Sequence, residues 1–418
     1  MSEDKSLLAD ILEQHEKMAG LLAAGELDIH ATARRKIEEA LEVVSEHLHQ
    51  VRPVTHQGRT ELWSLCPFHD DRNVGSFSVD SSTGNYFCWV CGAHGGLVTL
   101  LKAFDLWTSG MRKALSGVDL SALLKSMHNQ REEMGVEELT QLPEALLSGI
   151  KMYRPRRYLS KGHSRSIIDS MEVSYDPRHQ RICFPVRSAL THLVGVQSRL
   201  AFDTQPGIRW KWYRFELGDL GRSLFEPDFI DEYEPPRRTV LYNEHRILQP
   251  LARGEIEELA LVEGMGGALR SMATGMATVA SFGTRLSKPQ SFRLAHALRQ
   301  AKEVRGKPVR LLLAHDGDSP GRHAAFEAFM ALRMYADCYI PEIPDGKDPE
   351  DLTVGDLRSL YRNAGTLQDM LETNAAAQWR EAFLEMAAKT NRKRQPRKKK
   401  ARQKSPIGAL TSLLHTTE

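Results

Sequence analysis

The chain has 418 residues, of which 26% are charged, and a formal net charge of +2. A chain of this length exceeds what one hydrophobic core usually organises, so we expect two or three domains with terminal extensions. No run of about 18 apolar residues is present, and a helical membrane span is therefore not expected. The first residues, MSEDKSLLADILEQHEK, lack the basic flank and apolar core of a signal peptide, which predicts a cytoplasmic location.

Residues 1–50 predict a helical N-terminal extension. Apolar residues recur at helical spacing in two segments, which indicates two amphipathic helices that pack against another part of the chain. The positions that define them are Leu7, Leu8, Ile11 and Leu12 in the first helix, and Ile37, Leu41, Val44 and Leu48 in the second.

Residues 51–115 predict a small β-rich domain that binds zinc. Aromatic and β-branched residues alternate there with Gly, Ser, Asn and Asp, as in short strands joined by tight turns. Cys66 and His69 form a C-x-x-H pair, and a C-x-x-C pair follows at Cys88 and Cys91. Two close pairs separated by a hairpin can surround one tetrahedral Zn²⁺. Four protein ligands leave no open position, so the single ion is predicted to be structural.

Four aromatic residues of this domain have two interpretations. Their rings offer faces on which unpaired nucleic-acid bases can stack, or they form the small apolar core around the metal. Of the four, Trp89 is the candidate for contact with nucleic acid. The set is Phe77, Tyr86, Phe87 and Trp89.

Residues 116–145 are predicted to be a linker, because HNQREEMGVEELTQLP is polar and lacks apolar periodicity.

Residues 146–250 mix strand and helix signals with many cations, which predicts an α+β subdomain with a basic face for phosphate-bearing ligands. These cations include Lys151, Arg154, Arg156, Arg157, Lys161, Arg165, Arg199, Arg209, Lys211 and Arg214.

Residues 251–355 predict an α/β domain with a parallel sheet and flanking helices. Short apolar strands (LALV, TVASF, VRLLLA and CYIPEI) alternate with amphipathic helices, which is the pattern of βαβ units. Ser319 followed by Pro320 is a favourable N-cap and first-turn pair, so the third of these helices is expected to begin there.

Acidic residues follow the strands of this predicted sheet. Glu263 comes after the first strand, and Asp316 and Asp318 come after the third, where the carboxyl ends of parallel strands form a ligand crevice. A further segment, PDGKDPED, contains Asp348 and Glu350 and follows the last strand. Carboxylates from three loops suit Mg²⁺ or Mn²⁺, which bridge to phosphates and activate an attacking hydroxyl. The arrangement therefore predicts metal-dependent phosphoryl-transfer chemistry.

Residues 356–390 are expected to form C-terminal helices, and residues 391–418 a basic disordered tail. The segment NRKRQPRKKKARQK holds nine Lys or Arg and no acidic residue, so it repels itself and favours polyanions. A solvated tail that only aids solubility is the alternative interpretation.

Taken in chain order, these segments resemble the bacterial-type (DnaG-type) DNA primases. CPFH with FCWVCGAHGG resembles the zinc-binding domain of that family, and LVEG, ASFGTRLSKPQ, AHDGDSPGRHAA and PDGKDPEDL resemble its TOPRIM catalytic domain. Between them, YLSKGHSRSIIDSMEVSYDP, RICFPVR, LVGVQSRLAF, KWY and VLYNEHRI resemble the basic subdomain that carries template and nucleotides in those enzymes. The resemblance covers about residues 50–355 and neither end of the chain.

The resemblance implies an enzyme that copies single-stranded DNA into short RNA primers from ribonucleoside triphosphates, with a replicative helicase as a separate partner chain. It also implies a role for each site residue. The catalytic metals would be held by Glu263, Asp316 and Asp318. The acidic site would be completed by Asp348 and Glu350, and nucleic acid or triphosphate would be contacted by Arg199 and Lys211.

The chain departs from the family in two respects. Gly267 stands where the family usually has an acid, four residues after the first glutamate. The residues after Asp351 are too few for the helicase-binding domain of the bacterial enzymes, as expected for a compact form encoded by a phage or mobile element. Two other functions stay open: a TOPRIM nuclease or topoisomerase, and a zinc-bearing DNA-binding accessory protein whose catalytic site has decayed.

Overall fold

The computed structural model describes residues 31–56, 59–118, 139, 141–148, 155, 158–159, 161–202, 207–213, 236–372 and 379. The first predicted amphipathic helix, most of the predicted linker and the basic tail lie outside these ranges. No helix within them is both long enough and apolar enough to cross a bilayer. Three sheets organise the described residues, and each sheet falls within one of the predicted domains, whose boundaries stay predictions.

The first sheet is the predicted small β domain, and its five strands are antiparallel. The strands are β1 Arg52–His56, β2 Arg59–Ser64, β3 Phe77–Asp80, β4 Tyr86–Cys88 and β5 His94–Gly95, paired in that order. Helix α1 (Ala31–Ser45) precedes the sheet, and α2 (Leu97–Ala103) and α3 (Ser109–Ala114) follow it. Ile37, Leu41 and Val44 of α1 are buried, which confirms the second amphipathic helix.

The second sheet belongs to the predicted basic subdomain and is also antiparallel. A short helix, α4 (Arg165–Ser170), precedes it. Every residue of the long strand Leu193–Leu200 is buried, because the sheet is covered on both faces. The strands, in their spatial order, are β6 Ser174–Asp176, β7 Arg181–Arg187, β8 Leu193–Leu200 and β9 Trp210–Trp212.

The third sheet is parallel, which confirms the α/β prediction. Its strands are β10 Glu258–Val262, β11 Ala277–Ala280, β12 Val309–Leu313 and β13 Ala336–Tyr339. Their spatial order is β11–β10–β12–β13. The helices around this sheet are α5 Glu244–Ala252, α6 Met265–Ala273, α7 Lys288–Arg305, α8 Ser319–Leu332, α9 Val354–Arg362 and α10 Leu367–Glu372.

The two faces of the parallel sheet supply two separate cores. Leu259 and Leu261 of β10 pack into the cluster that also holds residues of α7 and of the small β domain, which is the predicted zinc ribbon. Ala260 and Val262 pack into the other cluster, beside α4 and α6. This division follows from the pleat, because successive side chains of a strand point to opposite faces. The acidic residues that follow β10 and β12 are thereby held at the rim of a sheet buried on both sides.

The beginning of α8 differs from the prediction. The N-cap is Asp318, whose carboxylate accepts a hydrogen bond of 2.7 Å from the backbone N–H of Gly321. Ser319 is the first helical residue and not the N-cap, whereas Pro320 lies in the first turn as predicted. Aspartate is as good an N-cap as serine, and the negative carboxylate interacts favourably with the helix dipole. One oxygen of Asp318 is therefore committed to the helix.

The zinc-ribbon sheet packs on helix α7 of the parallel-sheet domain through aromatic rings. Trp63 and Trp89 are completely buried there. The ring of His296 on α7 lies 5.7 Å from that of Trp63 and 6.3 Å from that of Trp89. Phe87 makes an edge contact with Phe292 at 5.1 Å.

Polar contacts fix the orientation of the same interface. Arg299 of α7 forms an ion pair with Glu61 and lies 4.6 Å above the ring of Trp63. The imidazole Nε2 of His296 lies 3.2 Å from the carbonyl oxygen of Gly75. Gly75 has φ +99°, and a Cβ atom there would lie 2.6 Å from the buried ring of Trp63, so this loop can approach α7 only with glycine at that position.

Candidate active site and zinc centre

The four predicted zinc ligands converge. The Sγ atoms of Cys66 and Cys91 are 3.8 Å apart. Cys88 Sγ lies 3.9 Å from Nδ1 of His69. All four ligand atoms lie within 4.8 Å of one another. A Zn–S bond of about 2.3 Å gives a tetrahedron with an edge of about 3.8 Å, so the spacing fits Zn²⁺.

The electrostatics of this cluster also require a cation. Burial raises the pKa of the Cys88 thiol well above its usual value, and the sulfurs of Cys66 and Cys91 raise it further. Three thiolates at this distance repel one another unless a metal ion lies among them. The backbone N–H groups of Phe68 and Ala93 point at the sulfurs of Cys66 and Cys91, with N···S distances of 3.4 Å, and stabilise the ionised form. The Cys₃His cluster is a zinc site.

Asp71, which was not among the predicted site residues, organises the loop that carries the first ligand pair. Its carboxylate is buried and accepts hydrogen bonds from the backbone N–H of Cys66 at 2.7 Å and of Asn73 at 3.1 Å. The hydroxyl of Ser76 donates to it at 3.1 Å. The signal available in the sequence was an aspartate two residues after His69, a position from which a short carboxylate can reach backbone N–H groups.

The predicted contact of Trp89 with nucleic acid is wrong in this arrangement. Its ring is completely buried between the zinc ribbon and α7, and its indole N–H donates to the carbonyl oxygen of Gly75 at 3.3 Å. A buried ring has no face left for a base. Phe68, within the C-x-x-H pair, is 40% exposed and stacks on Tyr86 with ring centroids 5.5 Å apart. Phe68 is the aromatic residue that this domain presents to solvent.

The acidic residues predicted at the parallel sheet are brought together. Glu263 follows β10, and its Oε1 accepts a hydrogen bond of 3.1 Å from the backbone N–H of Asp316, after β12. Asp318 caps α8 with one oxygen. Asp348 caps the short 3₁₀ helix Pro349–Asp351 in the same way, accepting from the N–H of Asp351 at 3.0 Å.

These carboxylates affect one another's ionisation. Burial, followed by the charges of Glu263, Asp348 and Asp318, raises the pKa of Asp316 to about 8. The pKa of Glu263 is raised mainly by burial. The pKa of Asp348 is also raised, first by burial and then by Asp351. A cluster that resists full ionisation by itself is the arrangement in which a divalent cation gains most. Hard carboxylate oxygens fit Mg²⁺ or Mn²⁺.

Glu350 is predicted to belong to this acidic group, but its carboxylate contacts cations. Its Oε1 accepts a hydrogen bond of 2.8 Å from the ammonium of Lys161. Arg199 Nη1 lies 3.4 Å from both of its oxygens. Although burial opposes ionisation, the hydrogen bond from Lys161 and the charge of Arg199 hold the pKa of Glu350 below its usual value. Glu350 is therefore the carboxylate partner of two cations, Lys161 and Arg199.

The two cations predicted to contact nucleic acid or triphosphate lie on different faces of the antiparallel sheet. Arg199 pairs with Trp210 across β8 and β9, and its guanidinium lies 5.6 Å from the centre of that ring. Lys211 pairs with Ser198, so its side chain starts on the opposite face. Arg199 is 2% exposed, whereas Lys161 is 32% exposed and is the cation of this group that solvent reaches.

Comparisons with known proteins agree with the zinc centre. Residues 30–122 match the CHC2 zinc finger family, the zinc ribbon of DnaG. The DNA primase of Halalkalibacterium halodurans is 24% identical over 351 residues, which are 76% of this chain and 55% of that protein. The DNA primase of Streptomyces coelicolor is 26% identical over 353 residues, or 74% of this chain and 52% of that protein. The chain thus spans about half the length of the curated relatives it matches.

Two solved structures are also similar. The Aquifex aeolicus primase, with its zinc-binding and RNA polymerase domains, aligns with 84% of this chain and 90% of that chain at 17% identity and a TM-score of 0.40. The RNA polymerase domain of the Mycobacterium tuberculosis primase DnaG aligns with 58% of this chain and 88% of that chain at 19% identity and a TM-score of 0.41. In its zinc finger match and in the curated proteins that it matches, the chain is similar to DNA primases.

Proposed function

We propose that the chain is a DNA-dependent RNA primase, which synthesises short RNA primers on single-stranded DNA by metal-dependent nucleotidyl transfer. The observation that carries this proposal is the contact between Glu263 and the backbone N–H of Asp316, which joins the acidic loops after β10 and β12. The curated relatives, which are DNA primases, support the same reaction. Ribonucleoside triphosphates would be the second substrate, a replicative helicase a separate partner, and the cytoplasm the place of action.

The residues have distinct roles in this mechanism. Glu263 and Asp316 would hold Mg²⁺ or Mn²⁺, and Asp318 and Asp348 would add the oxygens that their helix caps leave free. When bound, the metal would neutralise phosphate charge and activate the attacking 3′-hydroxyl. Because positioning and electrostatic stabilisation dominate phosphoryl transfer, the chain needs no side-chain nucleophile. Lys161 is placed to bind the negative charge of a triphosphate or of the template.

A template-dependent synthesis assay tests this function. The full chain is incubated with a library of single-stranded DNA templates, labelled ribonucleoside triphosphates and Mg²⁺ or Mn²⁺. We expect short RNA products, and we expect Asp316→Ala to lower their yield by at least about 10²-fold while binding to single-stranded DNA is kept. Asp337→Ala, which removes an exposed carboxylate at β13, is the matched control and should leave synthesis unchanged.

The same assay separates the other functions. Cleavage of the DNA without RNA synthesis would indicate the nuclease or topoisomerase, and DNA binding without either reaction would indicate the accessory protein. Full synthesis by the Asp316→Ala variant would show that the acidic cluster is not the site of the reaction.

A further inference from the structure

Glu350 has a different environment from the other acidic residues. Its side chain is 8% exposed and forms ion pairs with Lys161 and Arg199. Glu263 and Asp316 are instead joined to each other through a backbone N–H. Sequence position alone, in the segment PDGKDPED, does not distinguish Glu350 from Asp348.

A glycine on α6 provides the space for the Glu350 carboxylate. A Cβ atom at Gly266 would lie 2.0 Å from Glu350 Oε2 and 2.6 Å from its Cδ. The neighbouring Gly267 has no such restriction, since a Cβ atom there would lie 3.5 Å from Pro349, which is an ordinary contact. Of two consecutive glycines in one helix, only the first is required for the present position of Glu350.

The backbone around this group is held from the same helix. Arg270, on α6, donates a hydrogen bond of 2.7 Å to the carbonyl oxygen of Lys161, and its Nη2 lies 3.4 Å from the carbonyl oxygen of Glu350. Lys161 precedes α4, Arg199 is on β8, and Glu350 follows β13, so the group joins the antiparallel and parallel sheets. Arg270 therefore holds the main chain at Lys161 and Glu350, and Glu350 holds the side chains of Lys161 and Arg199.

We propose that Glu350 is a positioning residue, which holds the Lys161 ammonium and the Arg199 guanidinium beside the acidic cluster, and is not a ligand of the catalytic metal. An ammonium has three N–H groups, and Lys161 spends one of them on Glu350. With about a third of its side chain exposed, it reaches a ligand from solvent as well. The ligand class is a polyphosphate, the triphosphate of an incoming nucleotide. This inference rests on the proposed primase function.

The test uses two routes to the same defect. Glu350→Gln removes the negative charge with little change in shape. Gly266→Ala keeps Glu350 but places a methyl group where its carboxylate lies; the atoms that must move are the end of a flexible side chain, so the backbone can stay in place. Gly267→Ala is the matched control, because it makes the same change of residue one position later without the collision. Thermal unfolding of each variant checks that the fold is kept.

Two equilibrium measurements, independent of primer synthesis, distinguish a positioning residue from a metal ligand. The first is Mn²⁺ binding to the full chain by calorimetry, with Asp316→Asn as the reference for loss of a metal ligand. The second is binding of a ribonucleoside triphosphate analogue with a methylene group between the α- and β-phosphates. We expect both Glu350→Gln and Gly266→Ala to weaken analogue binding about tenfold. Their Mn²⁺ affinity should stay within about twofold of the wild-type value.

Two results would overturn the inference. Loss of Mn²⁺ affinity in Glu350→Gln to the extent seen in Asp316→Asn would make Glu350 a metal ligand. Analogue binding in Gly266→Ala equal to that in Gly267→Ala would show that the position of the Glu350 carboxylate does not matter. Absence of primer synthesis by the wild-type chain would refute the proposed function instead, and both binding measurements would still report on Glu350.

Where primer synthesis is observed, the steady-state constants give a third measurement. A residue that positions Lys161 for nucleotide binding should change KM more than kcat. The double variant Glu350→Gln with Lys161→Met should lose less than the sum of the two single losses, because part of the role of Glu350 acts through Lys161. Additive losses in the double variant would contradict this.

Discussion

At the scale of single residues, Asp316 shows how the acidic cluster destabilises the folded protein when no cation is bound. Burial, followed by the charges of Glu263, Asp348 and Asp318, raises the pKa of its carboxyl from the usual value of 3.8 to about 8. Below both values the group is protonated in the folded and the unfolded chain and has no effect on stability. Between them only the unfolded chain loses the proton, so unfolding becomes more favourable as pH rises.

This linkage predicts that Asp316→Asn stabilises the metal-free protein at high pH. At pH 8 we expect a free energy of unfolding about 2 kcal/mol above the wild-type value, less than full linkage gives because the carboxylate is partly exposed. Near pH 3, below both pKa values, the two proteins should be equally stable. Urea unfolding in a chelator at both pH values measures the difference. Adding Mn²⁺ should reverse the order at pH 8, since only the wild-type protein keeps the ligand; a difference independent of pH would contradict this account.

At the scale of an element, the loop between β2 and β3 shows how a short segment is shaped to hold a metal. Cys66 and His69 lie in it, and Asp71 satisfies the backbone N–H of Cys66 while its own side chain is 3% exposed. Groups that orient metal ligands contribute to affinity without touching the ion. The adjacent Asp70 is 92% exposed and pairs only loosely with Arg72, at 4.0 Å.

We therefore predict that Asp71→Asn weakens zinc binding by about 10- to 100-fold. The amide keeps the size of the side chain, but its NH₂ group replaces one of the two acceptor oxygens and so faces the N–H of either Cys66 or Asn73, each of which donates to a different oxygen of Asp71. Competition with a coloured zinc chelator measures the affinity. Asp70→Asn is the control and should bind zinc as the wild-type protein does. Equal affinities for the two variants would show that Asp71 shapes only the apo loop.

At the scale of the whole molecule, the sequence predicted what depends on local pattern. The zinc ligands, the parallel strands and the position of Glu263 near Asp316 follow from residue spacing and from the geometry of parallel sheets. Contacts between segments that are far apart in the chain leave no comparable pattern in the sequence. The burial of Trp89 against α7 is of this kind, and so is the pairing of Glu350 with Lys161, 189 residues apart.

The interface between the zinc ribbon and α7 brings residues from two domains into one apolar cluster. Its ion pair, Glu61 with Arg299, is largely buried, with 25% and 13% of the side chains exposed. The indole N–H of Trp63 donates to Glu61 at 2.9 Å, and Arg299 covers the same ring. Reversing the charge of one partner of such a pair lowers the free energy of unfolding strongly, because two buried charges of the same sign then lie side by side.

Charge reversal tests whether this contact holds the zinc ribbon on the parallel-sheet domain. Glu61→Arg and Arg299→Glu should each lower the free energy of unfolding by about 3 kcal/mol, and the double variant should recover part of that loss because opposite charges face each other again. Thermal unfolding measures stability, and hydrogen exchange at β2 and α7 reports whether the interface opens. Arg253→Glu, at an exposed site that pairs with Glu255 on the same loop, is the control. Additive losses in the double variant, with unchanged exchange at α7, would mean that the two residues are not partners and that the rings of Trp63, Trp89 and His296 alone hold the domains together.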